Sequence, residues 1–82
     1  MIRVQLFASL KDAAGTSEVE VLASPPITVE EIYQLLLAEY PALQQYRSIV
    51  LKAVNEEYAT WDTRVKAEDE VAFFPPVSGG AL

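Results

Sequence analysis

Ile27-Thr28-Val29-Glu30-Glu31-Ile32-Tyr33-Gln34-Leu35-Leu36-Leu37-Ala38-Glu39-Tyr40-Pro41 is the stretch that decides the fold. Thr28 is an N-cap residue, and Glu31 three positions on completes a capping box, in which each side chain takes a main-chain N–H left open at the helix start. Ile27 before the cap and Ile32 inside the helix are spaced for a hydrophobic staple, worth ~1 kcal/mol together with the cap. Glu30 and Glu31 sit at the positive end of the helix dipole. Val29, Ile32, Leu35, Leu36 and Tyr40 recur at helical spacing, so one apolar face is expected to lie across a sheet. Leu37 falls off that stripe and is expected beneath a loop. Pro41 disfavours the α conformation at Tyr40 and ends the helix.

The sheet is read on both sides of this helix. Upstream, Ile2, Val4 and Leu6 alternate with Arg3, Gln5 and Phe7, the period of a half-buried strand. Ser9 to Ala14 predict a helical turn stopped by Gly15. Val19 and Val21 alternate with Glu18 and Glu20, and a strand so soon after the first is most simply antiparallel to it. Pro25-Pro26 breaks any ladder, because neither residue donates a main-chain hydrogen bond. Downstream, Leu43 and Tyr46 are expected to tether a loop or short turn. Ile49 to Val54 read as a third strand and Asn55-Glu56-Glu57 as a turn. Tyr58 to Trp61 read as a short edge strand, Lys66 to Glu70 as a polar turn, and Val71 to Phe74 as the last strand. Residues 1–76 are expected to form the domain and 77–82 a flexible C-terminal tail.

The order is therefore strand, strand, helix, strand, short strand, strand. One helix packed on one face of a small mixed sheet satisfies the layer rule, which makes the fold class α+β. The β-grasp arrangement achieves this with the first and last strands side by side at the centre, and both end strands are apolar enough for that position. A ferredoxin-like split arrangement needs a second full helix, for which the sequence has no segment.

Composition removes most enzymology. The 82 residues contain neither Cys nor His, which excludes disulfides, thiolate zinc sites, cysteine nucleophiles and Ser-His-Asp catalysis. A metal cofactor is not expected. The formal net charge of -6 repels phosphate backbones and anionic lipid, so nucleic-acid and membrane binding are not expected and protein partners are. No apolar run approaches the ~20 residues of a bilayer span, and Met1-Ile2-Arg3-Val4 lacks the apolar region of a signal peptide, so a cytoplasmic location is expected. Adjacent carboxylates (Glu30/Glu31, Glu56/Glu57, Glu68-Asp69-Glu70) point in different directions and do not form a converging acid–base pair.

Two features are left to carry function. One is an excess of aromatics: Phe7, Tyr58, Trp61, Phe73 and Phe74. By strand alternation Phe7 opposes Leu6 and Phe74 opposes Phe73, so one of each pair faces away from the helix and suggests a docking surface. The other is the end of the chain. Pro75-Pro76 is a stiff lever, Val77 to Gly80 reaches ~13 Å beyond it when extended, and Gly79 and Gly80, lacking Cβ atoms, fit a channel too narrow for other residues.

Phe7-Ala8 closing the first strand, Ala53-Val54-Asn55 closing the third, and the run Glu68-Asp69-Glu70-Val71-Ala72-Phe73-Phe74-Pro75-Pro76-Val77-Ser78-Gly79-Gly80 resemble the small subunit of molybdopterin synthase, the MoaD family of the MoaD/ThiS superfamily. The resemblance spans essentially the whole chain. It implies a ubiquitin-like β-grasp fold and a sulfur-carrier role, with no tightly bound cofactor. In that family an E1-like, MoeB-type enzyme uses ATP to adenylate the C-terminal glycine, and sulfur is then installed as a thiocarboxylate. The tail enters the large subunit, MoaE, and donates sulfur to cyclic pyranopterin monophosphate in a heterotetramer. The transferase is the complex, and the carrier is no catalyst alone. By resemblance, Gly80 carries the thiocarboxylate with Gly79 beside it, while Phe7, Tyr58, Phe74, Pro75, Pro76 and Val77 contact partners.

The chain departs from the family pattern in continuing through Ala81-Leu82, so removal of these two residues by a processing peptidase is expected before Gly80 is charged. Two other readings stand beside this one. The same carrier chemistry can serve another pathway (cysteine, thiamine or tRNA thiolation), or the chain is a non-reactive β-grasp interaction module.

Overall fold

The computed structural model describes residues 1–76. The readings made above for Val77, Gly79, Gly80, Ala81-Leu82 and the 77–82 tail lie outside the described residues. The elements are β1 (Ile2–Leu6), α1 (Ala8–Ala14), β2 (Glu18–Val21), β3 (Ile27–Thr28), α2 (Val29–Glu39), a 3-10 helix (Pro41–Tyr46), β4 (Leu51–Val54), β5 (Glu57–Tyr58), β6 (Arg64–Val65) and β7 (Glu70–Phe74). Five strands form a mixed sheet in the order β2-β1-β7-β4-β5, and β3 and β6 form a separate ribbon. β1 and β7 run parallel at the centre, Val4 opposite Val71 and Leu6 opposite Phe73, while β2, β4 and β5 pair antiparallel with their neighbours. This is the ubiquitin-like β-grasp, an α+β fold.

α2 starts where its cap predicts. The Glu31 main-chain N–H donates to Thr28 Oγ1 at 3.2 Å and the Thr28 N–H donates to Glu31 Oε1 at 2.9 Å, closing the capping box. Two further open donors are met from a loop: the Val29 N–H reaches the Thr63 carbonyl and the Glu30 N–H the Trp61 carbonyl, each at 3.0 Å. The helix ends at Glu39, with Tyr40 outside the α region before Pro41. α1 stops at Gly15, whose φ of 79° is a left-handed value that only glycine adopts without cost.

The buried stripe of α2 is Val29, Ile32, Tyr33 and Leu36, rather than the stripe with Leu35 expected from the sequence; Leu35 is 44% exposed. At roughly 100° per residue these four share an arc of about 100° with Ile32 and Tyr33 at its edges, while Leu35 falls about 60° beyond Ile32. A phenol among aliphatics is tolerated because the Tyr33 hydroxyl donates to the Leu43 carbonyl at 2.7 Å, tying α2 to the 3-10 helix. Its ring meets Phe73 edge-on at 5.0 Å and Trp61 at 5.3 Å. Burial pushes the Tyr33 hydroxyl up to about 12, against the opposing charge of Arg47.

Two strand boundaries also shift. β4 begins at Leu51 and not at Ile49, because the Ile49 and Val50 N–H groups both donate to the Tyr46 carbonyl and are lost to the ladder. The edge strand ends at Tyr58 rather than Trp61, since the chain turns at Thr60–Thr63 to reach the start of α2. β6 has no counterpart in the sequence reading: two residues are too few to show a period.

Candidate docking face and the root of the C-terminal tail

Alternation divides each central strand between two faces. In β7, Val71 and Phe73 are buried beneath α2, whereas Glu70, Ala72 and Phe74 lie on the opposite, outer face. In β1, Ile2, Val4 and Leu6 take the inner side, which leaves Gln5 outside, and Phe7 follows at the end of the strand. Register carries the division across the sheet: Ala53 lies opposite Ala72, and Tyr58 opposite Ala53. The outer face therefore gathers Phe7, Phe74 and Tyr58 from three strands distant in sequence.

Phe74 is the middle of this row. Its ring centroid is 6.4 Å from that of Phe7, edge-on at 81°, and 6.2 Å from that of Tyr58. Phe7 is 45% exposed and Tyr58 81% exposed, large apolar surface left to water without cover from the rest of the domain. A shallow groove of about 360 Å³ runs along the row, with Ala53 and Ala72 as its floor and Gln5, Glu56 and Glu70 at its polar side. Small floor residues let the aromatic rings stand above the sheet as a ridge.

Backbone conformation fixes two sides of the site. Ala8 has a left-handed φ of 52° where the chain turns from β1 into α1, a conformation costing a residue with a Cβ ~1–2 kcal/mol. Beside it, the Phe7 N–H donates to the Phe73 carbonyl at 3.2 Å, which holds Phe7 against the end of β7. Asn55 and Glu56, with φ of 52° and 70°, make the two-residue turn that brings Tyr58 back over Ala53.

Hydrogen bonds secure that turn to the start of β7. Asn55 donates from Nδ2 to Asp69 Oδ1 and accepts the Glu70 N–H on Oδ1, both at 2.9 Å, and its own N–H reaches the Glu70 carbonyl at 2.8 Å. The second Asp69 oxygen accepts the Lys66 N–H at 2.8 Å. These donors, the Lys66 N–H first and Asn55 next, hold the Asp69 carboxyl below its ordinary range. Glu70 in turn accepts from Gln5 Nε2 at 2.7 Å across the β1–β7 pair. The run Glu68-Asp69-Glu70 is thus tied to its own loop, and among the described residues no group of carboxylates is placed to hold a metal ion.

Two of the cationic groups lie elsewhere. Arg47 and Lys52 stand 4.1 and 4.3 Å from the Trp61 ring centre, and Arg47 is ion-paired with Glu30 at the start of α2. Trp61, grouped by composition with the docking aromatics, packs instead on Tyr33 inside the domain. Burial, helped by Arg47, lowers the Lys52 ammonium from its ordinary value. The outer face is left apolar at its centre and acidic at its border.

Of the sequence-predicted site residues, the structure brings Phe7, Tyr58 and Phe74 into one row and sets half-buried Pro75 and exposed Pro76 directly after it. Gln5, Ala53 and Ala72 were missed, although Gln5 and Ala72 each stand two positions before a named aromatic on the same strand face. No helix of the described chain is long and apolar enough to cross a membrane.

Comparison with known proteins adds four likenesses. The family model described as the ThiS family matches residues 4–80. A molybdopterin synthase sulfur carrier subunit from Escherichia coli (strain K12) is 42% identical over 98% of this chain and 100% of its own. The crystal structure of SAMP1 from Haloferax volcanii, 33% identical, superposes with a TM-score of 0.85 over 96% of this chain and 98% of that one. At the level of fold alone, the chain is similar to one in the protein–protein complex of subunits 1 and 2 of molybdopterin-converting factor from Helicobacter pylori (22% identity, TM-score 0.69, 96% and 97% covered).

Proposed function

The chain belongs to the ThiS/MoaD family, and on that premise we propose that it is the sulfur-carrier subunit of a molybdopterin synthase. The observation that carries this reading is the position of Phe74. It is the last residue of a central strand, the middle of an exposed aromatic row, and the residue from which Pro75-Pro76-Val77-Ser78-Gly79-Gly80 departs. A partner that covers the row therefore meets the glycine pair five and six residues further along the chain from Phe74.

The chemistry belongs to the carboxyl of Gly80 and not to a side chain. An E1-like, MoeB-type partner uses ATP to convert that carboxylate to an acyl-adenylate with loss of pyrophosphate, and hydrosulfide from a sulfur donor displaces AMP to leave a thiocarboxylate. In a MoaE-like large subunit the sulfur passes to cyclic pyranopterin monophosphate, and water returns Gly80 to the carboxylate. Because the Gly80–Ala81 peptide bond occupies the carbonyl, a peptidase must remove Ala81-Leu82 first. Phe7, Tyr58 and Phe74 grip the partners in turn, Pro75, Pro76 and Val77 line the way into the channel, and the acidic border suits a basic, anion-handling partner. The basic residues needed for transfer are supplied by the large subunit.

Full-length protein and a form ending at Gly80 are incubated with an E1-like adenylating enzyme and ATP. ATP–pyrophosphate exchange with the shorter form alone supports the reading and its maturation step; exchange with neither overturns it. The likeness to SAMP1 favours a second reading, a ubiquitin-like carrier serving another pathway. Charged protein that transfers sulfur to an acceptor other than the pterin, with molybdoenzymes unaffected by its loss, is the outcome that selects it.

A further inference from the structure

β2 is the outermost strand on one side of the sheet, and among the described residues no strand lies beyond it. The Leu6 N–H donates to the Ser17 carbonyl, so by antiparallel alternation Val19 and Val21 bond toward β1, while Glu18 and Glu20 turn their N–H and C=O groups to the open edge. Thr16 covers the first of these: its Oγ1 donates to the Glu18 carbonyl at 3.1 Å and accepts the Glu18 N–H at 3.4 Å. Among the described residues Glu20 has no such cover, and the open edge thus begins at Glu20.

That edge is flanked by apolar surface. Between the end of β2 and α2 lies a groove of about 240 Å³ with Val21, Leu22, Leu35 and Leu36 in its walls and Glu20 and Glu39 at its rim. Leu22 is 82% and Leu35 44% exposed, a large cost in water for residues that help no core. By strand alternation the side chains of Glu18 and Glu20 leave β2 on the face away from buried Val19 and Val21. Arg3 is bonded to Glu18, and among the described residues Glu20 and Glu39 carry no ion pair.

We propose that the β2 edge is a second docking site, which takes up an extended segment of a partner protein as a sixth strand. An added strand points alternate side chains to the two faces of the sheet. One set lies over the Leu22–Leu35 groove and is apolar; the other lies beside Glu20 and is Lys or Arg, since opposite charges directly across a ladder stabilise it. A second copy of this chain does not fit, because antiparallel pairing of two β2 edges sets Glu18 and Glu20 against the same carboxylates. The site is on the far edge of the sheet from β5, so it is open while the aromatic row is covered.

The test uses the full chain, 15N-labelled, and a blocked ten-residue peptide of alternating Val and Lys. Expected are amide shift changes confined to Val19–Leu22 and Leu35–Glu39, slowed exchange of the Glu20 amide, and no binding of the same peptide with Glu for Lys. Glu20→Pro removes the outward N–H without touching the β1 ladder, where an edge proline is tolerated, and is expected to weaken binding about tenfold or more. Leu35→Lys, on an exposed helix position, is expected to weaken it similarly and guards against a folding defect in the proline variant. Absence of binding, equal binding of the Glu peptide, shifts centred on Phe7, Tyr58 and Phe74, or binding unchanged by both variants overturns the proposal. None of these outcomes bears on ATP–pyrophosphate exchange, so the carrier reading stands or falls separately.

Discussion

Phe73 and Phe74 are bonded neighbours that work on opposite sides of one strand: the ring of Phe73 is wholly buried against Tyr33, and the ring of Phe74 lies half-buried between Phe7 and Tyr58 on the outer face. One holds the domain together, and the other is available to a partner.

Replacing each in turn separates the two roles. Phe73→Ala leaves a cavity beneath α2 and is expected to cost ~3–5 kcal/mol of stability, enough to unfold much of a domain this small. Phe74→Ala is expected to cost far less in urea or thermal unfolding, while an interface anchor of this kind loses ~2 kcal/mol or more of binding. Phe74→Arg is expected to abolish co-purification with the proposed large subunit from a folded protein. Equal stability losses at the two positions contradict the assignment.

Tyr33→Phe deletes the hydroxyl and orphans the buried Leu43 carbonyl, at an expected ~1–3 kcal/mol. The pH dependence follows from the same group. A hydroxyl whose ionisation is raised on folding contributes stability in full below its unfolded value of 10.0, and that contribution is lost as pH rises toward about 12. Thermal melts across that range are expected to fall in the native chain and to fall less in Tyr33→Phe.

Asp69 acts at the other end of the scale. Its carboxyl is held below the ordinary 3.8, so the stability it contributes is present above that value and declines as pH falls below it. Acidification is expected to release the Asn55 side-chain amide before the core opens, seen as loss of exchange protection at Glu70 together with the Asn55 Nδ2 resonance shift. Asp69→Asn removes this acid step.

The β4–β5 turn offers a gain of stability. Glu56 occupies a left-handed φ of 70° beside Asn55, and Asn-Gly is the preferred sequence for a two-residue turn with both φ values positive. Glu56→Gly is expected to stabilise the chain by ~1 kcal/mol in chemical denaturation. No change there implies that the turn relaxes out of this conformation in solution.

Much of this architecture was legible in the residues because local and long-range signals agree. The Thr28–Glu31 box, the Val/Glu alternation of β2 and the apolar first and last strands each specify an element without help from the rest. Leu35 was misplaced because a leucine-rich helix carries more apolar residues than its buried stripe needs, and Tyr33 was overlooked because a phenol declares its burial only through a partner such as Leu43. β3 and β6 exist because they meet each other and have no period of their own. In the candidate site, parity alone put one of Leu6 and Phe7 and one of Phe73 and Phe74 on the outer face, and the structure shows these to be Phe7 and Phe74. That they sit in one row with Tyr58 depends on sheet order, which pairs β1 with β7 and β7 with β4, information spread over the length of the chain. The same alternation pointed to Gln5 and Ala72, but small or polar residues on an outer face attract no notice until the rings beside them are placed.

The parallel pairing of β1 with β7 has a consequence for synthesis. β1 leaves the ribosome well before β7 and waits for it before the sheet can close, so a polypeptide that stops short of β7 has no assembled platform of Phe7, Phe74 and Tyr58 to show. If the proposed activating enzyme feels for that platform, it is thereby inspecting workmanship: only a finished molecule presents the row from which Pro75-Pro76 departs.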